Sequence, residues 1–213
     1  MSLPIKIKIE LTDLPHKCYR SLLVPENINL GQLHFMIQES FGWLNAHLFE
    51  FVDVKGRANI RAGILDDFDD EFDFIEMAPK QDVFKLKLKE TFFEENNAKA
   101  FWYWYDFGDD WWHRISFQKV TQKDLKLYKG IPLCVKAEGK CPPEDVGGSW
   151  GYENFLEAIK DPKHPEHKEN REWYGLEKGE KYDETLISLE NINTLLQEFY
   201  HSKRWNSKSF ELF

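Results

Sequence analysis

Apolar and charged residues alternate from the start of the chain, with Ile5, Ile7, Ile9 and Leu11 on one side and Lys6, Lys8 and Glu10 on the other. A period of two predicts a half-buried β-strand. Asp13-Leu14-Pro15 turns the chain, and Cys18 to Val24 reads as a second strand closed by Pro25. Asn29 is placed to cap a helix, with Gln32 at the third helical position as a variant of the capping box. Leu30, Leu33, Ile37 and Phe41 then fall on one face, and Gly42 stops the helix. His47 to Val54 returns as a strand, and the order β-β-α-β resembles the opening of a β-grasp, ubiquitin-like unit.

Val83 to Glu95 is predicted as a short helix and Phe101 to Gln118 as a hairpin. In the hairpin Phe101, Tyr103, Tyr105 and Phe107 point one way and Trp102, Trp104 and Asp106 the other. Gly108-Asp109-Asp110 forms the turn, and Trp111, His113, Ile115 and Phe117 return along one face. Gly130 to Gly151 carries five glycines and three prolines and reads as a loop. Helices follow at Tyr152 to Lys160, from Pro165 to near Gly175, and behind a Ser188 cap. The last of these buries Leu189, Ile192, Leu195, Leu196 and Phe199. The expected architecture is α+β: one domain over residues 1–201, with a mixed or antiparallel sheet, an aromatic hairpin and C-terminal helices packed on the sheet. Residues 202–213 read as a loosely held tail.

Composition narrows the function classes. The net charge of −9 opposes a broad phosphate-gripping face. Three cysteines form an odd, sparse set that suits a reducing cytoplasm. The alternating N-terminus reads as a strand and not as a signal peptide, and no apolar run approaches the ~20 residues of a membrane span. These features describe a soluble, acidic, cytoplasmic protein that uses no membrane. The aromatic share of 15% implies a large core, a ligand surface, or both. Seven acids between Asp66 and Glu76 read as a solvated insert, because the spacing and central glycine of a Ca²⁺ loop are absent.

Two dense segments stand out, Tyr105 to His113 and Cys141 to Tyr152, each mixing acids, glycines and aromatics. With Leu30-Gly31-Gln32-Leu33-His34, Phe41-Gly42-Trp43, His47-Leu48, Cys134, Gly139, Asp161-Pro162 and His167, they make the chain resemble a known family from about Ile5 to about Leu196. It is the plasmid-encoded family named after the third open reading frame of the Ri plasmid pRiA. The resemblance implies an α+β fold and an association with plasmids and transposase genes, and it carries no biochemical activity. Tyr19-Arg20 stands where the family commonly has Trp-Arg. Val146 stands where many members have Cys, so a metal site needing that thiol would be incomplete.

The same segments supply the candidate chemistry. Asp106, Asp109, Glu144 and Asp145 are candidate catalytic carboxylates. With His47 (or His34), Asp110 and His113 they could hold a divalent metal and support phosphodiester hydrolysis. The plainer reading has Asp109 and Asp110 serving a turn, Glu144 and Asp145 capping backbone amides, and His113 filling a core, with no cofactor. Cys134 and Cys141 are too far apart for a zinc knuckle and read as a quiet buried pair. Trp102, Trp104, Tyr105, Trp111, Trp112, His113, Trp150 and Tyr152 form a candidate binding patch for a protein partner or, against the charge, for single-stranded bases. Three function classes follow: a non-catalytic interaction module, a metal-dependent hydrolase or nuclease, and a nucleic-acid accessory protein for transposition.

Overall fold

A computed structural model describes residues 3–65, 78–94 and 99–208; the acidic insert at 66–76 lies outside them. The strands are β1 (Pro4–Leu11), β2 (Cys18–Pro25), β3 (Phe49–Val52), β4 (Arg61–Gly63), β5 (Lys80–Asp82), β6 (Ala100–Tyr105), β7 (Trp111–Gln118) and β8 (Leu133–Glu138). The helices are α1 (Leu30–Phe41), α2 (Gln122–Leu127), α3 (Gly148–Lys160), α4 (His167–Tyr174) and α5 (Leu189–His201). All eight strands share one sheet in the order β5-β4-β3-β6-β7-β1-β2-β8. Every pairing is antiparallel except that of β4 with β5. The fold is α+β, and its opening order β-β-α-β is the one the residue pattern predicts.

Local rules account for the early elements. Ile7 faces Leu22 and Leu11 faces Cys18 across the β1–β2 pair, so the apolar sides of both strands meet in the core. The Asn29 side chain accepts the Gln32 amide while the Gln32 side chain accepts the Asn29 amide, which completes the capping box. Gly42 ends α1 at φ 83°, a left-handed conformation that suits glycine. Helix α5 runs against α1 and β8. Its Asn193 accepts the Cys134 amide at 2.7 Å and donates to the Cys134 carbonyl at 3.0 Å.

Several expectations change. The predicted loop 130–151 contains strand β8 and the first turn of α3, which begins at Gly148. The predicted strand 47–54 shortens to β3, and the helix expected from Val83 is a six-residue π-helical stretch at Lys89–Glu94. On α5, Ile192, Leu196 and Phe199 are buried, whereas Leu189 and Leu195 face solvent. Cys141 meets the Cys18 thiol instead of Cys134; all three cysteines are buried and reduced. In the segment after His201, Arg204 pairs with Glu39 at 2.7 Å, and the Trp205 carbonyl accepts from Gln32. Among the described residues no helix is long and apolar enough to cross a membrane.

The hairpin carries the largest correction. Strand β6 ends at Tyr105 because Asp106 adopts φ 52°, which breaks the alternation. Phe107 therefore leaves the core side and packs on Trp104, ring centroids 4.1 Å apart. Trp104 stacks on Trp112 at 5.0 Å, Trp102 meets Trp112 edge-on, and the Lys55 ammonium sits over Trp102 and Trp112. With Val52 and Ala58 these rings form a small cluster of their own, separate from the main core.

Candidate functional site

Three loops meet at one end of the sheet: the segment after α1, the β6–β7 turn, and the stretch between β8 and α3. Their backbones are tied directly. Trp43 donates its indole N–H to the Pro142 carbonyl at 3.0 Å, and the Asp106 amide donates to the Leu48 carbonyl at 3.0 Å. The Gly147 amide donates to Asp109 Oδ2 at 3.2 Å. Close packing explains the glycines. A Cβ on Gly148 would lie 2.7 Å from the Asp109 carbonyl oxygen, and one on Gly151 would lie 1.9 Å from that of Val146.

The acids divide into two groups. Asp109 caps the Gly147 amide, and Asp110 accepts the Trp112 indole N–H at 2.7 Å. Both serve the turn. Asp106, Glu144 and Asp145 instead converge on His47, whose Nε2 lies 3.6 Å from Asp106 Oδ2, 3.7 Å from Glu144 Oε2 and 3.2 Å from Asp145 Oδ1. Asp106 (φ 52°) and Asp145 (φ 56°) both adopt left-handed backbone conformations. Glu144 Oε1 accepts the Leu44 amide at 2.8 Å and the Tyr105 hydroxyl at 3.0 Å. Burial pushes the Glu144 carboxyl up, and the Leu44 amide and Tyr105 hydroxyl pull it partly back. Tyr105 is itself raised by burial and by Glu144, so its hydroxyl stays a donor.

The remaining candidates lie elsewhere, apart from Tyr105, whose hydroxyl reaches Glu144. Tyr105, Trp111, His113 and Tyr152 are core residues, and His34 is buried against Phe49 and Tyr103. Trp102, Trp104 and Trp112 belong to the separate tryptophan cluster, while Trp150 projects into solvent from the first turn of α3. The residue pattern gives no hint of Leu44 and Leu48, which are exposed on the His47 loop.

Gly151→Ala tests the packing of the β8–α3 loop on its helix. Backbone blocks the added methyl, so the variant is expected to lose about 1–3 kcal/mol in urea unfolding. Glu153→Ala, an exposed change on the same helix, is expected to leave stability within about 0.5 kcal/mol. Equal behaviour of the two variants would show that the loop moves freely.

Comparison with known proteins gives the same outline. Residues 4–191 match the model of the plasmid pRiA4b ORF-3-like protein family. An uncharacterized protein, y4hQ of Sinorhizobium fredii (strain NBRC 101917 / NGR234), is 31% identical over 205 residues, covering 96% of this chain and 95% of that protein. The crystal structure of a protein of unknown function, MM3350 from Methanosarcina mazei Go1, is similar with a TM-score of 0.70 and 27% identity, covering 89% of this chain and 98% of that one. None of these descriptions states an activity.

Proposed function

We propose a protein-docking role for this chain, which belongs to the plasmid pRiA4b ORF-3-like family. The observation behind it is a set of exposed apolar side chains on or next to the three joined loops. Leu44 (74% exposed), Leu48, Phe107 and Trp150 (86% exposed) all lie on segments bonded to the acidic centre or to the Asp109 turn beside it. Single exposed apolar residues are ordinary, but several on segments pinned together can act as one patch, and patches mark contact surfaces. Apolar and aromatic anchors around a partly desolvated polar group also match the anatomy of protein interfaces. The partner that fits carries apolar side chains around a basic group. Nucleic acid fits poorly, since its phosphates would meet Asp106, Glu144 and Asp145. Cytoplasmic residence and an association with mobile DNA belong to the same proposal.

Cross-linking in the native host tests it. Leu44→Ala and Trp150→Ala are expected to lose the cross-linked partner while melting within about 0.5 kcal/mol of the parent protein. Leu186→Ala, an exposed change on another loop, is expected to retain the partner. The docking role fails if all three behave alike. Light scattering of the purified chain distinguishes a second copy from a foreign partner.

A further inference from the structure

We propose that His47, Asp106 and Asp145, with Glu144 beside them, bind one divalent transition-metal ion, independently of whatever docks on the apolar rim. The first ground is geometric. Ligand atoms about 2.1 Å from a tetrahedral ion are separated by about 3.4 Å. His47 Nε2 lies 3.6 Å from Asp106 Oδ2 and 3.2 Å from Asp145 Oδ1, so these atoms are spaced to share an ion. One ligand atom each from His47, Asp106 and Asp145 also lies within 4.8 Å of the others.

The second ground is the distribution of hydrogen bonds. Asp106 Oδ1 is held by the Gly108 and Asp109 amides, and Glu144 Oε1 by the Leu44 amide and the Tyr105 hydroxyl. The opposite oxygens, Oδ2 and Oε2, are the ones turned toward the imidazole. His47 Nε2 and Glu144 Oε2 are buried and have no hydrogen-bond partner. Buried polar atoms are rarely left unpaired, and a bound ion with its waters would give both a partner. The Asp106 side chain is nine-tenths buried, and no lysine or arginine among the described residues pairs with the three carboxylates. A cation would satisfy the orphaned atoms and offset the carboxylate repulsion together. Outer hydrogen bonds that fix each ligand's orientation are the usual support of metal centres.

The donor set selects the ion. An imidazole nitrogen beside carboxylates favours Zn²⁺ or Mn²⁺ over the all-oxygen ions Ca²⁺ and Mg²⁺. Asp145 is 74% exposed on its side chain, so the centre opens to solvent on that side and leaves space for water.

The test uses the full chain stripped with chelator, then dialysed and melted with Zn²⁺, Mn²⁺ or Mg²⁺. One Zn²⁺ or Mn²⁺ per chain is expected, with a rise in Tm of about 5–10 °C at 100-fold excess over Kd. Asp145→Asn, an exposed and fold-sparing change, is expected to weaken binding about tenfold or more, and His47→Ala to abolish it. Asp109→Asn changes only the charge of the Gly147 cap and is expected to retain the ion, as are Leu44→Ala and Trp150→Ala. Absence of a stoichiometric ion would overturn the proposal. Full binding by both Asp145→Asn and His47→Ala would overturn it as well.

Discussion

Arg20→Ala is expected to destabilise the protein by about 3–5 kcal/mol, the combined cost of a large core truncation and stranded hydrogen-bond acceptors. The side chain is 2% exposed and lies on the core side of β2, opposite Ile9. Its Nε donates to the Ser40 carbonyl at 2.7 Å, and Nη1 donates to the carbonyls of Tyr19, Glu138 and Gly139. One guanidinium thus joins the end of α1, strand β2 and the end of β8, while its face packs over Phe41 at 4.6 Å. No carboxylate neutralises it among the described ion pairs; carbonyl dipoles do that work. Alanine would remove a donor from each of those buried oxygens and open a cavity beside Phe41. Arg20→Met separates the two effects, because it restores volume without donors and is expected to recover part of the loss. Urea unfolding gives the answer through a lower midpoint at constant slope. A loss below about 1 kcal/mol would mean that water reaches the carbonyls and that Arg20 is dispensable.

Arg20 also shows how far residue patterns carry. In sequence it is a charged interruption in an apolar strand; only the β1–β2 register and the end of β8 reveal what it satisfies. The elements that were legible obey a local rule. Period-two alternation gives β1 and the hairpin, and Asn29, Gln32 and Gly42 bound α1 through their own capping chemistry. Strand β8 was hidden because its short apolar stretch lies in a glycine- and proline-rich segment, where turn composition outweighs pattern. The site was legible only as a list of residue types. His47, Asp106, Glu144 and Asp145 come from three loops, and their convergence depends on backbone conformations that no spacing rule encodes. Asp109 has the same side chain as Asp106 and sits in the same turn, yet it caps Gly147 because its backbone aims it there.

Acid is expected to unfold this protein from within its core. Both His34 and His113 are fully buried, and burial pushes each imidazole down to about 3 from an ordinary 6.5. His34 stacks on Phe49 at 3.6 Å and bonds to Tyr103 and Asn45. His113 sits edge-on to Phe41 and Trp43, and neither of its ring nitrogens makes a well-formed hydrogen bond. The unfolded chain takes up protons on both rings below about pH 6.5, whereas the folded chain refuses them until about pH 3. Stability is therefore fully present above 6.5 and falls as pH drops through that window, by about 1.4 kcal/mol per pH unit for each histidine. By pH 5 the pair should have removed about 4 kcal/mol, a large fraction of the 5–15 kcal/mol typical of a folded protein. Glu144 acts in the opposite sense, since its raised carboxyl favours the folded state as pH falls. His113→Phe isolates one contribution: the ring occupies similar space, the orphaned nitrogens vanish, and the acid slope should fall by about half while stability at pH 7 holds or rises. If urea unfolding at pH 5 and pH 8 gave stabilities within about 1 kcal/mol of each other, protons would be reaching these imidazoles in the folded state. The aromatic layer between α1 and the hairpin would then be open to water.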